Sequence, residues 1–311
     1  MDTKKISPSA FGKVAVLMGG ASSEREVSLI SGQNVLEALR RKGVDAYPID
    51  PIQNIIEQLQ INKPDRVFIA LHGPNGEDGI IQSVLEVLNI PYSSSGTIAS
   101  ALTMDKYRST LFWKSLELPV LPLVILDEES DFAETIEPFD FPLCVKPTNN
   151  GSSLGVSKIT TVTQLPKAYK LAKQYGSQVM VEPWIEGREF DVCILGNEVL
   201  PIVEIIPPKG SFYDYKAKYF SEETKYICPC DLSDEEQKQL RIAALKAFRS
   251  AGCRYWSRVE FMQDKDGKFW LLEINTIPGL TLHSIVPIAA KQAGVNFDDL
   301  IYRILGFTLE Q

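Results

Sequence analysis

Short apolar runs alternate with helically spaced apolar positions through the first hundred residues. Residues 13–18 (Lys-Val-Ala-Val-Leu-Met) form a run closed by Gly19-Gly20, which predicts a buried strand. Residues 27–41 carry Leu29, Val35, Leu36 and Leu39 at helical spacing, and Gly43 supplies a C-terminal stop. A second strand over 46–49, a second helix over 52–59 and a third strand over 66–71 follow, the last running into His72-Gly73. Strands and helices alternating at this spacing predict a parallel α/β unit. Ligands of such sheets lie beyond the carboxyl ends of the strands, where Gly19-Gly20 and His72-Gly73 both fall.

From about Asp105 the pattern becomes mixed. It predicts helices over 106–116 and 163–175 among strands at 121–126, 143–146, 154–159 and 179–183. Strands at 190–195 and 199–206, a Gly/Tyr/Lys-rich loop at 209–220, a helix at 233–251 and a hairpin over 256–273 complete the series. The expected architecture is an N-terminal parallel α/β domain (1–105) followed by α+β structure in two parts, 106–190 and 191–311.

Composition narrows the function. The 311 residues carry 32 Lys+Arg against 40 Asp+Glu, a net charge of −8, with 44% hydrophobic residues. That is an ordinary globular balance, and the acidic surplus argues against a nucleic-acid partner. No apolar run reaches the ~18 residues of a membrane helix, and residues 1–9 lack the apolar segment of a secretory signal, so a cytoplasmic address is expected. Five cysteines in mostly apolar surroundings are expected to be reduced, and two histidines are too few for a His-based zinc site.

The hairpin carries the clearest chemistry. If Asp266-Gly267 centre a type I′ turn, Lys265 pairs with Lys268, Glu260 faces Glu273, and Arg258 faces Asn275. Alternation then puts these four on one face and Val259, Phe261, Leu272 and Ile274 on a core face. Two facing carboxylates call for a positive charge between them, and two carboxylates with an amide oxygen suit Mg²⁺. A solvated polar face is the alternative, and the Asp-Gly turn favours the metal. The loop 149–155 (Asn-Asn-Gly-Ser-Ser-Leu-Gly) follows the strand holding Lys146 and can turn N–H groups toward anionic oxygens, although alone it reads as an ordinary hairpin loop. Lys106, Lys146 and Lys218 would singly be solvated lysines. Their weight comes from occurring with the acidic hairpin.

These stretches together resemble the D-alanine–D-alanine ligases of the ATP-grasp superfamily, over roughly residues 13–305. The resemblance rests on 19–28 (Gly-Gly-Ala-Ser-Ser-Glu-Arg-Glu-Val-Ser), 72–79 (His-Gly-Pro-Asn-Gly-Glu-Asp-Gly), Met104-Asp-Lys106, Lys146-Pro and Gly151-Ser-Ser153. It continues in 212–219 (Phe-Tyr-Asp-Tyr-Lys-Ala-Lys-Tyr) and 273–279 (Glu-Ile-Asn-Thr-Ile-Pro-Gly). It implies a two-part ATP-grasp fold after the N-terminal domain, and ATP-dependent joining of two D-alanines through an acyl phosphate, in peptidoglycan precursor synthesis. Lys106, Lys146 and Ser153 would meet phosphates; Glu182, Pro183, Trp184 and Ile185 the adenine; Glu189 the ribose; and Lys218 the transferred phosphate. Glu260, Glu273 and Asn275 would hold two Mg²⁺, or Mn²⁺ in their place. Glu24 would take the first substrate's ammonium with His72 nearby, and Arg258 and the Gly279 N–H would stabilise the oxyanion. Ser284, with Ile285, would receive the second substrate's carboxylate, while Ser152 and Tyr219 would join Glu24 in closing the long loop. Singly, Ser152 would be a loop serine, Ser284 a helix N-cap and Glu24 an acidic residue near a helix start.

The resemblance also implies a homodimer. Glu260 stands where the family usually has aspartate, Tyr255 and Ser257 where glycines are usual, Ile277 and Leu282 where small polar residues are, and Asn149-Asn150 where an Arg-Glu pair is. A ligase joining D-alanine to D-lactate or D-serine is the nearest alternative, with Tyr219 favouring an amine. An inactive ATP-binding regulatory homologue is the alternative of another class, and Arg258, Glu260, Glu273 and Asn275 argue against it.

Overall fold

The computed structural model describes residues 6–128, 131–208, 223–281 and 283–311. The N-terminal unit forms as its apolar spacing predicts: β1 (Lys13–Leu17), α1 (Arg25–Arg41), β2 (Asp45–Ile49), α2 (Ile55–Asn62) and β3 (Arg66–Ile69) build a parallel sheet in the order β2-β1-β3. Val35, Leu36 and Leu39 of α1 are buried on it, whereas Leu29, expected on the same face, is exposed. Helices α3 (Ile80–Val87), α4 (Thr97–Met104) and α5 (Lys106–Ser115) follow, the last capped by Asp105, whose carboxylate accepts the Arg108 N–H. The pattern of the chain had not announced α3 and α4.

The middle of the chain holds β4 (Val124–Leu126), α6 (Phe132–Ile136), β5 (Leu143–Pro147), β6 (Ser157–Ile159), α7 (Leu165–Lys173) and β7 (Val179–Pro183). Its antiparallel sheet runs β4-β7-β5-β6. A second antiparallel sheet runs β11-β10-β8-β12-β13, with β9 beside β8. Its strands are β8 (Arg188–Leu195), β9 (Glu198–Val199), β10 (Val203–Ile206), β11 (Lys225–Ile227), β12 (Trp256–Gln263) and β13 (Phe269–Asn275). The single strand expected over 199–206 is split at residues 200–202. Helix α8 (Asp234–Ser250) opens on a reciprocal Ser233–Glu236 capping box, and α9 (Ile285–Gln292) and α10 (Phe297–Gly306) end the chain.

Three apolar cores result. One joins the N-terminal sheet (Val16, Phe68) to Leu195, Trp256, Val286 and Leu305 from the end of the chain. The second packs Trp113 of α5 with Phe190, Val192, Val259, Phe261 and α8 residues Leu240 and Phe248. The third lies within the middle sheet around Val145, Val181 and Tyr169. The β8–β12 sheet therefore has core on both faces at one end, while its polar positions converge on the seam facing the middle sheet. Among the described residues no helix is long and apolar enough to cross a membrane.

Candidate active site

The hairpin pairs Arg258 with Asn275 and Glu260 with Glu273, as its pattern predicts, but by a different route. The turn is a three-residue loop. The Gly267 N–H donates to the Asp264 carbonyl at 3.0 Å, the Asp264 N–H donates to the Lys268 carbonyl at 2.9 Å, and Gly267 has φ 82°. This pairs Gln263 with Phe269 and shifts the register by one residue from the type I′ expectation. A bulge beyond Glu260 then places Phe261 opposite Leu271, leaving Leu272 as the extra residue and restoring the Glu260–Glu273 pair. The core position expected for Leu272 belongs to Leu271, which is buried, and Leu272 instead turns into a cleft beside Glu273.

That cleft encloses about 900 Å³, open to solvent, between the middle and C-terminal sheets. It is lined by Lys106, Lys146, Ser153, Glu182, Pro183, Trp184, Ile185 and Glu189, every described residue the resemblance assigns to ATP, and by Glu260 and Glu273. Leu121 and Met262, for which no role had been foreseen, supply apolar walls together with Leu272. Strand pairing sets Cys144 of β5 beside Glu182 of β7, and the Lys146 ammonium reaches the Glu182 carboxylate at 2.5 Å. Burial alone would lower the Lys146 pKa, but Glu182 outweighs it and holds the ammonium well above its ordinary value. Lys106, at the start of α5, donates to the Asn150 carbonyl at 2.8 Å and pairs with Glu273 at 2.8 Å, tying the Ser152 loop to the hairpin. Asn150 pins the same loop by donating to the Tyr175 carbonyl at 2.8 Å.

A second, smaller cavity adjoins the first and shares Lys106, Gly151, Ser152 and Glu273 with it. It brings together Glu24, His72, Arg258, Asn275 and Gly279, which lie as much as 255 positions apart in the chain. Glu24, just before α1, is buried; the Ser152 hydroxyl donates to its Oε1, and its Oε2 has no hydrogen-bond partner among the described residues. A Cβ at Gly73, which has φ 72°, would stand 2.7 Å from that oxygen, so only glycine leaves it room. Ser152 and Ser153 both hold left-handed backbone, φ 55° and 57°, strain of the kind stored at functional loops.

His72 is buried between the Ile277 carbonyl and the Ser31 hydroxyl, each 3.1 Å from a ring nitrogen, with Glu77 3.5 Å away. Burial by itself favours the neutral ring, but Glu77 and Glu24 outweigh it and raise the His72 pKa. Burial lifts the Glu77 carboxyl, His72 draws it back, and Glu24 adds to the rise. Glu77 sits inside the quoted 72–79 stretch, which was its only signal in the sequence.

The remaining assignments divide. Arg258 bonds to Glu260, and the Asn275 side-chain oxygen accepts the Ile277 N–H at 2.9 Å. Ser284 caps no amide with its side chain; its hydroxyl accepts the Thr281 N–H at 3.0 Å and lies 2.9 Å from where a Gly279 Cβ would be. Ser284 does not line the second cavity, and the Ile285 side chain is buried in the first core, so only the Ile285 backbone is free to face a ligand. Lys218, Tyr219 and Leu282 lie outside the described residues. Among the described residues no group of three or more His, Cys, Asp or Glu could hold a metal, and Mg²⁺ commonly needs only one or two carboxylates beside phosphate oxygens. All five cysteines are free, and burial pushes the Cys144 and Cys253 thiols up to about 12.

Two of the departures from the family pattern have local explanations. Ile277 is buried in the first core, away from the cavity. Tyr255 has φ 69°, a conformation natural to glycine, and stacks on Phe307 with ring centres 5.4 Å apart and planes 6° from parallel. The Ser257 hydroxyl is buried without a hydrogen-bond partner among the described residues, and nothing in the structure explains that substitution.

Comparison with known proteins agrees with this geometry. The family model described as D-ala D-ala ligase C-terminus matches residues 112–306, and that described as D-ala D-ala ligase N-terminus matches 13–56 and 51–95. A D-alanine–D-alanine ligase of Alkalilimnicola ehrlichii is 51% identical over 296 residues, 95% of this chain and 94% of that protein. The crystal structure of a Bacillus anthracis D-alanine–D-alanine ligase matches with TM-score 0.86 at 32% identity, covering 96% of this chain and 97% of the other. Its complex with ATP matches at 0.83 and 28%, with the same coverage. The VanG D-Ala:D-Ser ligase of Enterococcus faecalis matches at 0.82 and 30%, covering 95% and 99%. Matched along nearly its whole length by sequence and by fold alike, the chain belongs to the D-alanine–D-alanine ligase family.

Proposed function

We propose that the protein joins two D-alanines into D-alanyl-D-alanine at the expense of ATP, in the cytoplasm, for peptidoglycan precursors. The observation that carries this reading is the Glu24 Oε2, without a hydrogen-bond partner among the described residues and buried at the cavity that shares Ser152 and Glu273 with the lysine-lined cleft. A buried carboxylate oxygen without a donor is costly, and an ammonium supplies the missing partner. In this reading ATP lies in the first cleft, its adenine along Glu182–Ile185, its ribose at Glu189 and its phosphates at Lys106, Lys146 and Ser153. The first D-alanine lies in the second cavity with its ammonium on Glu24 and its carboxylate toward the phosphates. Its carboxylate takes the terminal phosphoryl group, the amine of the second D-alanine attacks the acyl phosphate, and phosphate leaves. Arg258 and the Gly279 N–H stabilise the oxyanion of the tetrahedral intermediate. The Ser284 hydroxyl and the Ile285 N–H receive the second substrate's carboxylate.

The donor set fits Mg²⁺: Glu260 and Glu273 face each other across the hairpin, each now compensated by a cation of the chain itself, and Asn275 adds an amide oxygen. Glu260, Glu273 and Asn275 would hold two ions, and such ions neutralise phosphate charge when bound. The N-terminal unit (1–105) supplies Glu24 and His72, the middle part (106–190) the lysines and the adenine connector, and the last part (191–311) the hairpin and Ser284. A homodimer through the N-terminal unit belongs to the same reading, supported by Ile30, Ile52, Ile56, Ile80 and Val87, each at least half exposed there; sedimentation tests it.

The test is phosphate release and product mass with ATP, Mg²⁺ and D-alanine, alone and with D-serine or D-lactate. D-alanyl-D-alanine as the dominant product is expected. An absence of D-alanine-dependent phosphate release sinks the proposal, and preferential formation of a mixed product redirects it.

A further inference from the structure

The row of carboxylates across the C-terminal sheet has a third member. Pairing of β12 with β8 sets Asp191 directly opposite Glu260, on the side away from Glu273. Asp191 is wholly buried, and its neighbours Val203, opposite on β10, and Cys193, two residues along β8, are buried and uncharged. A buried carboxylate needs a cation close by. Arg258 supplies one: its Nε stands 3.5 Å from Asp191 Oδ2, while a terminal nitrogen bonds to Glu260.

The guanidinium is thus bracketed by two carboxylates that differ in what else they face. Glu260 lines the ATP cleft, whereas Asp191 lines neither cavity. Glu260 is open to competition from whatever cations accompany phosphates, and Asp191 is shielded from them. A buried carboxylate beside Nε attracts the planar guanidinium and biases where it lies, and Arg258 lines the second cavity. We infer that Asp191 is a positioning residue that holds the Arg258 guanidinium aimed at the reacting carbonyl while Glu260 engages the phosphate side. Asp191 touches no substrate and acts through Arg258. The inference rests on the reading of Arg258 as the oxyanion donor.

The experiment takes the D-alanine-dependent activity of the unmodified protein as its reference. An inactive wild type overturns the ligase reading itself; the variants test Asp191. Asp191→Asn keeps the shape and removes the charge. It is expected to lower kcat by about 10- to 100-fold, the range for a misaimed catalytic group, with KM for ATP and the Mg²⁺ requirement unchanged. Asp191→Glu restores the charge and is expected to recover most of kcat, which also covers the case of an Asn variant that does not fold. Cys193→Ser, directly opposite Arg258 on β8, perturbs the packing without altering charge and is expected to keep the wild-type kcat. Asp191→Asn combined with Arg258→Lys is expected to fall no further than Arg258→Lys alone. Wild-type kcat in a folded Asp191→Asn, an equal loss in Cys193→Ser, or full additivity with Arg258→Lys overturns the inference. A raised Mg²⁺ requirement also overturns it, because it assigns Asp191 to the metal.

Discussion

Glu24, the proposed ammonium partner, shows how a side chain is shaped by its surroundings. Its position before α1 is legible from the chain, but its burial, the Ser152 hydroxyl on Oε1 and the space left by Gly73 all come from distant segments. Glu24→Gln keeps the size and removes the charge, so the charge-assisted contact to an ammonium is lost, worth about 1.5–3 kcal/mol. Steady-state kinetics should show KM for the first D-alanine raised roughly 10- to 100-fold with KM for ATP unchanged. Tyr255 is the opposite case, a side chain in a conformation better suited to glycine. Left-handed backbone costs about 1–2 kcal/mol in a non-glycine residue, and a stacked aromatic pair returns about 0.5–1.5 kcal/mol. Thermal unfolding should therefore rank Tyr255→Gly above Tyr255→Ala, since alanine keeps the strain and loses the stack; the reverse order would contradict the φ assignment.

At the scale of elements, the hairpin β12–β13 carries the proposed Mg²⁺ and oxyanion residues, and its register was readable for a partly mistaken reason. A three-residue turn and a bulge at Leu272 each shift the pairing by one residue, in opposite senses, so Glu260 still meets Glu273. Apolar alternation cannot reveal a bulge between two leucines, because either one satisfies the core. The structure separates them: Leu271 packs in the second core and Leu272 lines the cleft. Leu271→Ala should destabilise the protein by about 2–5 kcal/mol while leaving KM for ATP alone. Leu272→Ala should raise KM for ATP several-fold, as expected for losing about 1 kcal/mol of apolar contact, and leave the unfolding midpoint nearly unchanged. Equal effects of the two variants on stability would refute the bulge.

Across the whole molecule, ion pairs tie the N-terminal unit to the end of the chain. Arg41 of α1 holds Asp298 of α10 at 2.7 Å, and Lys42 holds Asp299. Arg41 keeps the Asp298 carboxyl below its ordinary range, and Arg25 does the same for Asp50. A carboxyl whose folded pKa is depressed contributes stability above its unfolded pKa and loses it as pH falls through the folded one. The unfolding midpoint should therefore drop as pH falls below about 4, with each such half-exposed pair worth under about 1 kcal/mol and less in high salt. Asp298→Asn should flatten that slope; an unchanged slope would rule out the pair. The sequence by itself determined the parallel N-terminal sheet, the paired carboxylates and the family, because local apolar period and ordered motifs are properties of contiguous residues. The net charge of −8 argued against nucleic acid but said nothing of the pocket that Lys106 and Lys146 line. Only the tertiary structure decided the bulge that turns Leu272 outward, the split of the strand expected over 199–206, Glu77 beside His72, and Asp191 behind Arg258. Those depend on which strands become neighbours, and strand neighbourhood is settled by packing between segments far apart in the chain, where no local pattern records it.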